Sequence, residues 1–390
     1  MKFSPRARWA VPAGVLAAVG AVMAGALIST AQASPALPAR TPAQLLAAVA
    51  GRTGPLPALT GTVVENASLG LPNLPGTDNP TSAASLLTGS HTVRIWYADP
   101  RHFRLAVPEM MSESDLIVNG HTAWYWQSTT NSVTRFPLPA GDHAAGHGPG
   151  PAMAITPQQA ARQALAAVGP STRVTVQSNV TVAGEAAYQL VLAPRSPNSL
   201  IGQVRIAIDA RRNVPLRVQV FARGAHSPAF QVGYTSISFV PPAASNFNFS
   251  PPPGAKVKTA TMPLNGWSGQ APVNRKAPAV KPRLMGRDWL TVAVLPASAL
   301  SQMSGSGSAA GVAGSAARSA AGTSPASSGG IQGSALFGVL MRSGTNVHGA
   351  WGSGRLLHTS LLSILITNNG RVLVGAVTPS VLYADAARAS

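Results

Sequence analysis

From His91 to Pro253, apolar and polar residues alternate along one segment after another. Gly202–Asp209 sets Val204, Ile206 and Ile208 against Gln203, Arg205 and Ala207, and Val214–Val220 sets Leu216, Val218 and Val220 against Pro215, Arg217 and Gln219. Thr172–Val182 carries Val174, Val176, Val180 and Val182 at compatible positions. A period of two gives a strand one dry face and one wet face. The pattern predicts strands at Leu59–Glu65, His91–Ala98, His102–Val107, Asp115–Asn119, Thr122–Gln127, Ser132–Phe136, Thr172–Val182, Ala186–Ala193, Gly202–Asp209, Val214–Arg223 and Pro228–Val240. Asn119-Gly120, Ala183-Gly184 and Arg211–Asn213 are the turn signals between them. Thr41-Pro42-Ala43-Gln44 and Thr156-Pro157-Gln158-Gln159 are capping boxes with Pro at the first helical position. The second opens a stripe of Ala160, Ala161, Ala164, Leu165 and Val168 that can lie on a sheet. The expected fold class is mainly β (α+β): about eleven strands in one strongly curved, unclosed antiparallel sheet, with helices against it. Its long apolar face needs a cover, and helices, a second sheet or an apolar ligand would each serve.

At 390 residues the chain has room for two or three domains. Residues 1–33 read as an export signal: Lys2, Arg6 and Arg8, then the apolar Ala10–Ile28, then Ala31-Gln32-Ala33. The apolar stretch is long enough to serve alternatively as an uncleaved membrane anchor. Residues 41–254 form the sheet domain, 255–287 a basic Pro-containing linker, and 288–387 a small C-terminal domain interrupted by the Gly/Ser/Ala tract 304–330, which is expected to be flexible and dispensable. In that domain Ile331–Met341 reads as a helix, Asn346–Trp351, Leu356–Thr367 and Arg371–Val377 as strands, and Thr378–Ala387 as a closing helix.

Cysteine is absent, which excludes disulfides, thiolate metal sites and a lipidated N-terminal Cys. The net charge of +18 is densest at Lys256, Lys258, Arg275, Lys276, Lys281, Arg283 and Arg287. Nucleic-acid binding calls for basic residues interleaved with stacking aromatics on a folded face, and this Pro-containing segment has one Trp. It is read as touching an anionic envelope surface, or as a solvated linker. The motifs for a nucleophilic Ser, a zinc protease, a P-loop or a dinucleotide fold are missing. His143, His147 and Asp142 offer too few ligands for a metal site. Glu113 and Asp115 face one side of a strand, either as a carboxylate pair suited to acid–base work or as a solvated edge. No catalytic residue, metal or cofactor is expected.

The candidate lining of a lipid cavity is Val93, Ile95, Trp124, Trp126, Tyr188, Leu190, Val204, Ile206, Leu216, Val218 and Phe230. The alternative for each is ordinary core. Trp351 and Arg355, on the Gly-rich segment Gly349–Arg355, are the candidate partner contact, or else Trp351 caps a hairpin core.

The order Leu59–Glu65 (LTGTVVE), Val93–Leu105, Asp115–Trp126 and Ser132–Phe136 resembles the lipoprotein-carrier superfamily. So do Gly202–Val220, with Ile208, Asp209 and Val214–Arg217 at its crossing, and Phe230–Val257 with its Phe-Asn-Phe-Ser-Pro-Pro-Pro-Gly ending. That superfamily includes the carrier LolA, the sigma-factor regulators RseB and MucB, and mycobacterial lipid-binding lipoproteins. The resemblance covers residues 41–257 and implies an unclosed barrel whose mouth is plugged by helices around a cavity for acyl chains. The large-then-small layout is similar to the RseB arrangement. The long Gly/Ser insertion and the missing lipobox Cys depart from the family pattern. The Ala/Arg/Gly/Pro-heavy, Lys-poor composition points to an actinobacterial source. Two functions follow: holding acyl chains of a lipid or lipoprotein at the cell envelope, or regulating a membrane-protein partner, such as an anti-sigma factor, around a filled core.

Overall fold

The computed structural model describes residues 34–51, 55–70, 88–109, 111–138, 156–260, 282–297 and 343–389. The expected leader, His143, His147, Asp142, the Gly/Ser/Ala tract and the expected helix Ile331–Met341 lie outside the described residues. Two sheets organise the rest. The larger is built from β1 (Leu59–Ser68), β2 (Thr88–Asp99), β3 (His102–Glu109), β4 (Ser112–Asn119), β5 (Thr122–Gln127) and β6 (Ser132–Pro137). It continues with β7 (Thr172–Val182), β8 (Glu185–Pro194), β9 (Ile201–Asp209), β10 (Pro215–Ala222), β11 (Pro228–Ser238) and β12 (Lys256–Thr259). Their order is β12-β6-β5-β4-β3-β2-β1-β11-β10-β9-β8-β7, twelve strands with two free ends. The sheet is therefore an open half-barrel. It curls far enough for the edge strand β7 to approach β11, four strands along.

Local chemistry fixes the hairpins. Ala183 and Gly184, both at positive φ (51° and 85°), close β7 onto β8 in the two-residue turn that matches the strand twist. The β9–β10 turn is held from inside by Asp209, whose Oδ1 accepts the backbone N–H of Arg211 (3.1 Å) and of Arg212. Each expected strand of this sheet is present. β12, the start of the segment expected as a linker, pairs in parallel with β6 and makes the twelfth. To reach that edge from β11, residues 239–255 cross the outer face, where the Phe249 ring lies 5.6 Å from that of Trp124 and Phe247 lies 6.1 Å from His102.

Helices α1 (Pro42–Ala50) and α2 (Pro157–Ala166) cover the inner face, and both capping boxes are formed. The smaller, six-stranded sheet comprises β13 (Arg283–Met285), β14 (Val292–Pro296), β15 (Thr345–Gly349), β16 (Gly352–His358), β17 (Ser363–Thr367) and β18 (Arg371–Gly375), followed by α3 (Pro379–Arg388). The basic segment thus contributes a strand to each sheet at its two ends. The single strand expected at Leu356–Thr367 is broken between β16 and β17. A turn closes there, with the N–H of Leu362 donating to Thr359 Oγ1 at 3.0 Å, because Leu361 leaves the ladder to join Leu69 and Ala229 of the large sheet. The sheets also meet where the N–H of Leu200 donates to the Ala376 carbonyl and that of Thr378 to the Asn198 carbonyl, both at 2.9 Å.

Candidate functional site

The inner face of the large sheet is one apolar surface because the registers align the dry positions of successive strands. Leu190 stands opposite Ile206, Ile206 opposite Val218, and Val218 opposite Val232. On the other half Val63 faces Val93, and Ile95 faces Leu105, which faces Leu116. Of the expected lining, Val93, Ile95, Tyr188, Leu190, Val204, Ile206, Leu216 and Val218 belong to this single buried cluster, each 0–7% exposed, with Phe230 packed at its border.

Trp124 and Trp126 do not join it. Ala123 and Tyr125 occupy the inner positions of β5, so strand alternation turns both Trp side chains outward. There the Arg135 guanidinium sits 5.6 Å from the centroid of the Trp124 ring. Three aromatics in a row, Trp124-Tyr125-Trp126, carry no period of two, and only the neighbouring strands decide which of them turns in.

Polar contacts pin the cover of the face. Ahead of α1, the Pro38 carbonyl accepts from Tyr188 OH (2.9 Å), the Pro35 carbonyl accepts from Asn179 (3.1 Å), and Arg40 donates to Asn213 Oδ1 (2.9 Å). α2 buries Pro157, Gln158, Ala160 and Ala161. Gln158 Nε2 donates to Tyr234 OH at 3.1 Å and to the Pro215 carbonyl at 3.4 Å. Burial pushes the Tyr234 hydroxyl up to about 12, so this pin stays neutral. The capping box placed Gln158 in a helix but gave no sign of its partner.

On the outer face Glu113 and Asp115 do share one side, as expected, and Arg104 reaches both, at 3.6 Å from Glu113 and in direct contact with Asp115. Asp115 is 1% exposed, and its Oδ1, Arg104 Nε and Trp126 Nε1 have no hydrogen-bond partner. Burial, reinforced by Glu113 and opposed by Arg104, pushes the Asp115 carboxyl up to about 7. Because the folded chain holds this proton more tightly than the unfolded one, stability should fall as pH rises from about 4 to 7 and level off above, with a slope of at most about 1.4 kcal/mol per pH unit. Urea unfolding across this range should show a flatter profile for Asp115→Asn. An unchanged profile would remove Asp115 as its source.

Trp351 and Arg355 are not brought together. Trp351 is 6% exposed inside the small unit, its ring 5.7 Å from Tyr383 of α3 and stacked on it at 18°. Arg355 pairs with Ile366 on the other side of that sheet, the side that carries Leu357 and Val372. Trp289, the second residue of the expected C-terminal domain, is buried in the core of the large sheet, where its Nε1 donates to Thr172 Oγ1 at 2.7 Å.

No family model matches the chain, and neither does any curated protein. Among solved structures it is similar to MucB, at 13% identity over 89% of this chain and 96% of that one, with a TM-score of 0.36. It is similar also to an uncharacterized conserved protein from Thermus thermophilus, at 12% identity over 56% of this chain and 98% of that one, with a TM-score of 0.30. A LolA superfamily protein from Nitrosomonas europaea matches at 9% identity over 54% of this chain and 99% of that one, with a TM-score of 0.21. Among the described residues no helix is long and apolar enough to cross a membrane, and no group of His, Asp and Glu is arranged to hold a metal ion.

Proposed function

We propose that this is an exported binding protein of the cell envelope, not an enzyme, which holds the acyl chains of a lipid or lipoprotein against the inner face of the half-barrel. The observation that carries this reading is an inner face that is apolar across strand after strand and is covered, among the described residues, by two short helices of nine and ten residues rather than by a second sheet. Leu, Ile and Val line the face, while α1 sets Leu45, Leu46 and Val49 against it, and α2 with the turn after it sets Ala160, Ala161, Ala164, Leu165 and Val168. An acyl chain that moved α2 aside would find one continuous apolar surface beneath it.

One observation favours a second reading, a regulatory protein that contacts a membrane-protein partner around a filled core. The eight lining residues on the face are already closed off by the protein's own atoms, at no more than 7% exposure. Extraction of the purified chain with organic solvent, followed by mass spectrometry, separates the two. Lipid at close to one molecule per chain is expected. Folded protein that yields none, and takes up none from added lipid, would leave the regulatory reading.

A further inference from the structure

The outer face of β9 and β10 carries two arginines, Arg205 and Arg217, with no ion-pair partner among the described residues. Arg205 and Arg217 are diagonal neighbours: Gln219 pairs with Arg205 and Ala207 with Arg217. Both project away from the core, since Val204, Ile206, Leu216 and Val218 take the inner positions. None of the ion pairs among the described residues includes either one; Glu113 and Asp115 pair with Arg104, Glu185 and Asp209 with Arg212, Asp385 with Arg388 and Asp99 with His102. The two side chains are nevertheless held in place. Arg205 lies with its guanidinium carbon 4.4 Å from the centroid of the Phe221 ring, and its Nε is buried with no hydrogen-bond partner. Arg217 runs along the backbone of Gly233, where an added Cβ would stand 2.8 Å from Arg217 Cγ.

Burial and the charge of Arg205 both weaken the hold of Arg217 on its proton. Holding two like charges close together and half-buried is unfavourable in the free protein, and an oxyanion between them would reverse the sign of the interaction. Carboxamides surround the pair: Gln203 faces Phe221, and Gln219 donates to Gln231 at 2.6 Å, which leaves the Gln231 amide group as a further donor. Guanidinium groups fixed by stacking are suited to two-pronged binding of a carboxylate.

The geometry points to this patch as a docking site for an acidic segment of a partner protein, whose carboxylates would bridge Arg205 and Arg217. A membrane surface fits less well, because lipid recognition by charge uses clusters of about 4–8 basic residues. The large apolar residues exposed among the described residues, Met111, Val240, Val257 and Leu284, are not on β8–β11, so nothing there would insert into a bilayer. The inference stands apart from the lipid reading, which concerns the opposite face.

A fluorescently labelled oligoglutamate peptide, titrated onto the purified chain at low salt, tests it. Binding should weaken about tenfold or more in Arg205→Gln and in Arg217→Gln, the loss of one charge-assisted contact, and should stay unchanged in Arg211→Gln, an exposed arginine of the β9–β10 turn. Arg217→Lys should recover only part of the loss. Removing one of two repelling charges should leave the melting temperature of Arg217→Gln equal or higher, which keeps a binding defect separate from a folding defect. Equal peptide affinity in all variants would overturn the proposal. So would binding of phosphatidylglycerol vesicles through the same two arginines without peptide binding, which would make the patch a membrane contact. Binding of inorganic phosphate alone would make it a small-ion site.

Discussion

Trp289→Ala should lower the stability of the full chain by about 3–5 kcal/mol, the range for removing a buried aromatic, although this residue lies next to a segment that reads as linker. The turn Asp288–Leu290 straddles the two sheets. Trp289 enters the core of the large sheet while Leu290 packs against that of the small one. Asp288, at φ 51°, aims its carboxylate back so that it accepts from Ser171 Oγ at 2.8 Å, and Trp289 Nε1 bonds Thr172 at the first residue of β7. Hydrogen exchange should show the loss first at β7, the edge strand that this plug supports, while β17 and β18 keep their protection. Trp289→Phe should retain most of the packing and lose only the hydrogen bond, about 1 kcal/mol. A change below about 1 kcal/mol on Trp289→Ala would mean that the site collapses around the gap and that the sheets are joined elsewhere.

Trp351→Ala should cost a similar amount, about 3–5 kcal/mol, but in the small unit. The Trp351 ring is sandwiched between the turn it belongs to, where a Cβ on Gly349 would lie 2.8 Å from its Nε1, and the Tyr383 ring of α3. Its loss should therefore free α3 and lower exchange protection at β15–β18, with β8–β10 unaffected. Unchanged stability together with weaker retention on envelope fractions would return Trp351 to the contact role that its sequence setting allows.

The two tryptophans mark where sequence reasoning runs out. Both stand beside Gly, Pro or charged residues rather than in a periodic run, so no pattern states what they bury against. The same holds for Trp124 and Trp126, whose outward direction comes from Ala123 and Tyr125 across two ladders. By contrast, the inward residues of β9 and β10 are legible because each sits in a clean alternation, where one buried residue implies the next. Arg205 and Arg217 were visible as polar positions of those alternations. That no described carboxylate pairs with them depends on where the carboxylates of other strands end up.

Periodicity along the chain set the strands, the two capped helices, the hairpin turns and the presence of one long apolar face, because each depends on residues a few positions apart. Strand order, and with it the return of residues 239–255 across the outer face to make β12 a parallel edge, depends on contacts between segments more than a hundred residues apart. The plug at Trp289 joins residues 117 apart and the Gln158 pin on Tyr234 residues 76 apart, while the raised carboxyl of Asp115 comes from its burial beside Glu113 of its own strand and Arg104 of the neighbouring one. Those features exist only once the sheet has curled, since burial and partner distance in three dimensions, and not spacing in the chain, fix their energies.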